Sequence, residues 1–189
     1  MDPIARAFCV FPRAKTSAEV KLLLCDPLTN LPNRRAMDRL AERELLRREK
    51  QPGPLGLLLV DVDQFERINE RNSLLGGDKV LVELARNLNA SIRAGDFLGR
   101  IGGEEFMVIA PQMELKDLTA LAERIRTSVA EAEFTYNGER IPVQVSVGAA
   151  FVEAERNCDY QTLKHWASAA LAEASGRASV AGAACKASC

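Results

Sequence analysis

Histidine is nearly absent from this chain: His165 is the only one among 189 residues. That leaves little scope for histidine-centred triads, zinc clusters or imidazole acid–base pairs, so transfer or hydrolytic chemistry must rest on carboxylates. The five cysteines (Cys9, Cys25, Cys158, Cys185 and Cys189) are odd in number and scattered, with no C-x-x-C pair. Neither a disulfide framework nor a zinc site is indicated. An excess of one charge is also missing: 25 Lys plus Arg stand against 26 Asp plus Glu, for a net charge of −1. This argues against a broad basic surface for a nucleic-acid polymer and leaves small nucleotides open as ligands. No apolar run approaches the roughly 20 residues of a membrane span, and Met1 to Arg6 lacks a signal-peptide core. The expectation is a reduced, cytoplasmic protein with no membrane segment in this chain. Its length suits one domain with a sizeable core.

Residues 1–24 have no clean period and read as a lead-in or linker, helical at most from Ser17 to Leu24. The turn cluster Asp26 to Asn33 holds two prolines and two asparagines and precedes a helix running to about Lys50. Its apolar stripe is Leu31, Met37, Leu40, Leu45 and Leu46; the charged run Arg43 to Lys50 reads as a solvated face. Leu55 to Val62 is nearly all apolar and short, as in a strand buried on both faces. A helix is expected from Gln64 to about Arg71, a break at Gly76-Gly77, and a second helix through Val80, Leu84, Leu88 and Ile92. Phe97 to Ile101 and Glu105 to Ala110 form a predicted hairpin around Gly102-Gly103, with Glu104 at its tip. Leu115 to Glu131 reads as a helix, and strands are predicted at Phe134 to Tyr136 and Val143 to Phe151 around Asn137-Gly138. A last helix spans Tyr160 to Ala174, followed by a small-residue tail, disordered over 178–189. His165 and Trp166, on that last helix, read as packing residues without chemistry.

Asp61 stands at the carboxyl end of the apolar strand, and Asp63 follows it. Alone, the pair could simply cap the next helix. Gly102-Gly103-Glu104-Glu105 adds two carboxylates behind two glycines, whose bare backbone a ligand can approach. Carboxylates at the ends of neighbouring strands supply the hard oxygen donors Mg²⁺ requires, with phosphate oxygens completing the octahedron. A solvated hairpin tip would use the same residue types.

Gly102-Gly103-Glu104-Glu105-Phe106 resembles the signature of the GGDEF family, the diguanylate cyclases that make cyclic di-GMP from two GTP. Further segments resemble the family in order and spacing: Asp26-Pro27-Leu28-Thr29 through Arg35, Asp61-Val62-Asp63-Gln64-Phe65 with Ile68-Asn69, Gly77-Asp78, Ala122 to Arg126, and Ser146-Val147-Gly148. The likeness covers roughly 26–177, setting a GGDEF-like domain at 25–177. It implies an α/β (α+β) fold, a mainly antiparallel central sheet flanked by helices, like nucleotidyl cyclases and polymerase palm domains. It also implies one or two Mg²⁺ or Mn²⁺ ions held by Asp61, the Val62 carbonyl and Glu104. Glu104 and Glu105 are the implied catalytic pair, Glu104 serving as base for the ribose 3′-hydroxyl. Asn69 and Asp78 would read guanine, with Gly102 and Gly103 beside the substrate. Each domain would hold one GTP, making a homodimer part of the chemistry. Arg93 and Asp96 resemble the R-x-x-D inhibitory site for cyclic di-GMP, and Arg124 a position contributing to it from a neighbouring domain. The planar guanidinium fork suits phosphate or a guanine edge.

Departures cluster on the triphosphate side. Glu66 stands for the family's Lys, Glu70 for its Asp, and Ser73-Leu74 for its Gly-His. Ser175 stands for a second Lys, and Gly176-Arg177 arrives two residues early, Arg177 being the remaining phosphate-side cation. Against about four negative charges on GTP, a Lys-to-Glu exchange reverses a local charge and weakens binding. Three readings follow, in this order: a diguanylate cyclase with weakened activity and product feedback; an impaired domain that binds cyclic di-GMP or GTP and signals by contact; and a dimerisation module without ligands. An upstream sensory domain in a longer parent is compatible with each.

Overall fold

A computed structural model describes residues 23–175 and 179–184. Helix α1 (Arg34–Lys50) starts at Asn33, whose side chain accepts from the Ala36 N–H at 3.1 Å. Strand β1 (Leu55–Val62) and helix α2 (Phe65–Ser91) follow, then strands β2 (Phe97–Arg100) and β3 (Glu105–Pro111) and helix α3 (Leu115–Glu131). A small hairpin of β4 (Phe134–Tyr136) and β5 (Glu139–Ile141) precedes β6 (Val145–Val152), α4 (Tyr160–Ala174) and β7 (Val180–Ala184). Five strands make the main sheet in the order β2-β3-β1-β6-β7. Pairing is antiparallel except for β6 with β7, which run parallel. The fold is therefore the mixed α+β architecture that the resemblance implies.

The sheet is covered on both faces, which is why β1 and β6 are apolar throughout. Leu58, Val60, Phe106, Val108 and Val147 pack under Leu81, Leu84, Leu88 and Ile125 of α2 and α3. Leu57, Leu59, Met107 and Ile109 pack under Met37 and Leu40 of α1 and Leu163 and Ala167 of α4. Each fully buried aliphatic side chain contributes about 1.5–3 kcal/mol. With both faces apolar, alternation alone cannot fix the register of β1, and a glycine does so. A Cβ on Gly56 would lie 2.5 Å from Leu118, so a one-residue slip would drive a leucine into α3.

Several expectations need correction. Helix α2 does not break at Gly76-Gly77, which are helical; its non-helical residue is Ser73, at φ 65 and ψ 168. The glycines are required by close approach instead, since a Cβ on Gly76 would meet Asn72 at 2.6 Å. The expected strand from Val143 begins at Val145, and Glu139–Ile141 pairs with β4 through a two-residue turn at Asn137 (φ 52) and Gly138 (φ 84). Within the expected small-residue tail, Val180–Ala184 forms a strand because Val147 to Phe151 offers it a free edge. Leu46 is exposed rather than part of the α1 stripe. Nor is the charged end of α1 simply solvated. Glu44 is buried between Arg43 and Arg47, and Arg48 donates to the carbonyls of Gly53, Glu153 and Arg156. Trp166 packs against the α1–α4 core, whereas His165 is exposed. The expected lead-in lies outside the described residues except for Leu23 and Leu24, and Arg177 lies outside them too. No helix among the described residues is long and apolar enough to cross a membrane.

Candidate active site

One edge of the sheet collects the carboxylates. Asp61 pairs in register with Glu105 on β3 and with Ser146 on β6. Glu104 immediately precedes Glu105 in the β2–β3 turn, so the two sequence segments that carry acids meet at one place. The consequence is electrostatic. Burial, then the neighbouring charges of Glu104, Glu105 and Asp63, push the Asp61 carboxyl up to about 6. Neither Asp61 nor Asp63 caps α2, whose N-cap Gln64 is left-handed and makes no side-chain cap bond. Asp63 is instead anchored to β6: its N–H donates to the Gln144 carbonyl at 2.9 Å, and its Oδ1 lies 2.8 Å from Ser146 Oγ. Ser146 Oγ also lies 3.1 Å from the Ala174 carbonyl, tying the end of α4 to this edge.

The residues fit a divalent cation. Crowded oxygen acids with an elevated proton affinity are relieved by a hard positive ion, and the Val62 backbone follows directly after Asp61. Among the described residues no three Asp, Glu, His or Cys side chains already form a metal cluster. Two carboxylates and a carbonyl, with the remaining positions left to substrate oxygens, need no third side chain.

The turn bearing Glu104 is held by residues that the motif reading left without a role. Arg100 donates from Nε and Nη2 to the Gly103 carbonyl at 3.0 and 2.7 Å, and its Nη1 reaches Asp26 Oδ1 at 3.0 Å. Asp26 accepts in turn from the Thr29 N–H and hydroxyl at 2.8 and 2.7 Å. Burial raises the Asp26 carboxyl, but the Thr29 bonds and then Arg100 outweigh it, and the net direction is down. Arg34, at the start of α1, donates to the Ile101 carbonyl at 2.7 Å and pairs with Glu105 at 3.4 Å. Thus the Asp26-to-Thr29 segment braces the β2–β3 hairpin. Its sequence signal was Arg100, two residues before the glycine pair. The glycines divide the remaining work. A Cβ on Gly102 would lie 2.4 Å from Glu105 Oε2, whereas one on Gly103 would meet nothing within 4 Å. Gly103 alone offers open backbone to a ligand.

On α2, Asn69 is packed across the kink: a Cβ on Gly77 would lie 1.9 Å from Asn69 Oδ1. The bare Gly77 therefore seats the Asn69 amide one residue before Asp78, which is exposed. The kink itself falls at Ser73, whose backbone lies in a region that glycine alone occupies readily. Glu66, Glu70 and Leu74 are exposed.

Arg93, Asp96 and Arg124 gather at the far end of α2. The Asp96 side chain is fully buried and accepts from the Arg93 N–H at 3.1 Å and from its Nε at 2.9 Å. Arg93 also donates to the Pro111 carbonyl, and Arg124 reaches the Ser91 carbonyl at 2.8 Å. Asp96 thus orients a half-exposed Arg93, with Arg124 of the same chain nearby.

Comparison with known proteins bears on the family and the fold. Residues 23–179 match the family model described as "Diguanylate cyclase, GGDEF domain". Diguanylate cyclase DgcP of Pseudomonas aeruginosa is 42% identical over 130 residues, 69% of this chain and 19% of DgcP, so the chain spans about a fifth of that relative. Diguanylate cyclase SiaD of P. aeruginosa, solved in complex with its activator SiaC, is 35% identical with a TM-score of 0.80, over 88% of this chain and 64% of SiaD. The GGDEF domain of DgcB from Caulobacter crescentus, solved with c-di-GMP, is 26% identical with a TM-score of 0.77, over 85% of this chain and 95% of that domain.

Proposed function

Because the chain belongs to the GGDEF-domain family of diguanylate cyclases, we propose that it condenses two GTP into cyclic di-GMP with release of two pyrophosphates. The observation that carries this reading is the meeting of Asp61 with Glu105 across β1 and β3, beside Glu104. In the reaction each ribose 3′-oxygen forms a bond to the α-phosphorus of the other GTP, and the bond to pyrophosphate breaks. Glu104 takes the hydroxyl proton. Asp61, the Val62 carbonyl and Glu104 would hold Mg²⁺ or Mn²⁺, which when bound neutralises charge developing on the α-phosphate and pyrophosphate. Asn69, seated over Gly77, and Asp78 orient guanine by hydrogen bonds. Gly103 admits the phosphates to the hairpin backbone, and Arg177 supplies a phosphate-side cation.

Two GTP must face each other, so the working unit is a homodimer. Arg93, braced by Asp96, and Arg124 form the site for product feedback. DgcB, a relative of the same fold, was solved with that dinucleotide.

The second reading, a receptor with impaired catalysis, is favoured by Glu66, Ser73 and Ser175 on the triphosphate side. One experiment separates the two. The purified chain is incubated with GTP and Mg²⁺ or Mn²⁺ over a range of protein concentrations, and nucleotides are separated. Cyclic di-GMP formed at a rate per chain that rises with concentration, and lost in Glu104→Gln, supports the cyclase. No product at high concentration, with calorimetric binding of cyclic di-GMP that Arg93→Ala abolishes, supports the receptor.

A further inference from the structure

A polar cavity opens on the face of the sheet that carries α2 and α3. It has a volume of about 310 Å³, within the range of small-molecule sites, and Asp63 is the only one of its residues shared with the carboxylate edge. Three arginines from two elements line it: Arg67 and Arg71 on α2, and Arg140 on β5. Amides of Gln64, Asn72 and Gln144 add neutral donors. Arg67 is held in place by Gln64, whose Oε1 accepts from it at 2.7 Å. Among the described residues, Arg71 and Arg140 have no ion-pair or hydrogen-bond partner.

The fold gives no internal reason for this concentration of charge. Arg67 and Arg71 are an i,i+4 pair of like charge, which destabilises a helix by a few tenths of a kcal/mol. They also stand in the first two turns of α2, where the helix dipole favours anions. Against three guanidinium groups the cavity offers one carboxylate, Asp63, so its lining keeps an excess of positive charge. In a chain with net charge −1, three arginines lining one cavity are a local feature rather than a general basic surface. Guanidinium forks with amide donors beside them are the donor set for phosphate oxygens.

We propose that this cavity binds a diphosphate or triphosphate group, separately from the Asp61–Glu105 edge and from Arg93. The same chemistry could come from free pyrophosphate or from the phosphate tail of a nucleotide. Because Asp63 lines the cavity and follows Asp61 by two residues, an occupant there is placed to alter the carboxylate edge.

Calorimetric titration of pyrophosphate, without metal, into the full chain tests the site. Saturable binding in the millimolar range or tighter is expected, at least tenfold weaker in Arg71→Ala/Arg140→Ala and unchanged in Arg93→Ala. Unchanged far-ultraviolet circular dichroism and melting temperature in the double variant exclude unfolding as the cause. A parallel titration with GTP in an Asp78→Ala background distinguishes the sources: tighter binding of GTP than of pyrophosphate assigns a nucleotide, and the reverse assigns the free anion. Absence of saturable pyrophosphate binding in the unaltered chain, equal affinity in the double variant, or loss in Arg93→Ala would overturn the proposal.

Discussion

At the scale of single residues, two side chains hold energy that a substitution should release. The Asp61 carboxyl titrates near 6 in the folded chain, above the ordinary carboxylate value of 3.8, so the folded state retains a proton that the unfolded chain gives up. Its contribution to stability is therefore fully present below about pH 4 and is lost as pH rises through about 6. Urea unfolding of the metal-free chain in chelator should show stability falling across that window. Asp61→Asn should flatten the fall, and superimposable pH profiles for the two proteins would refute the assignment. Ser73 stores a different kind of energy. With φ 65 and ψ 168 it costs on the order of 1–3 kcal/mol, part of which glycine would return as chain entropy in the unfolded state. Ser73→Gly should raise stability by about 1 kcal/mol, seen as a higher urea midpoint at constant slope.

At the scale of elements, the β2–β3 hairpin depends on its brace. The Arg100 and Asp26 side chains are only 13% and 16% exposed, so removing one partner leaves a poorly solvated charge as well as a loosened turn. Arg100→Ala should cost about 2–3 kcal/mol in urea unfolding and reduce cyclic di-GMP formation by about 100-fold, since a displacement near 1 Å can cost that much. Arg100→Lys should restore little, because an ammonium lacks the spaced planar fork by which Nε and Nη2 hold Gly103 while Nη1 holds Asp26. The acids of this hairpin were legible in the sequence because chemistry restricts them to a recognisable cluster. The brace was not, because it joins residues 74 apart in the chain through one carboxylate. The helix break was misplaced for a related reason. Gly76 and Gly77 carry the local signal of a breaker, yet their small size serves the packing of Asn72 and Asn69, while the turn falls on a serine that local propensity disfavours.

At the scale of the whole molecule, the order of elements and their type were largely readable. The apolar run Leu55 to Val62 predicts a strand covered on both faces, and α2, α3, α1 and α4 cover it. Strand β7 escaped notice because alanine and glycine carry little strand preference, and only the exposed edge of β6 gives them a partner. Strand β6 and helix α4 approach each other backbone to backbone at Gly148. A Cβ on Gly148 would lie 2.3 Å from the Ala167 carbonyl and 2.4 Å from the Leu171 nitrogen, so helix backbone rests almost directly on strand backbone. At Gly148 no side chain separates the two, which fixes α4 on the strand, and Ser146 holds its last carbonyl at the acidic edge. Ser175, the first residue past α4, therefore stands on a fixed frame, and Ser175→Lys would add a cation there without shifting the helix.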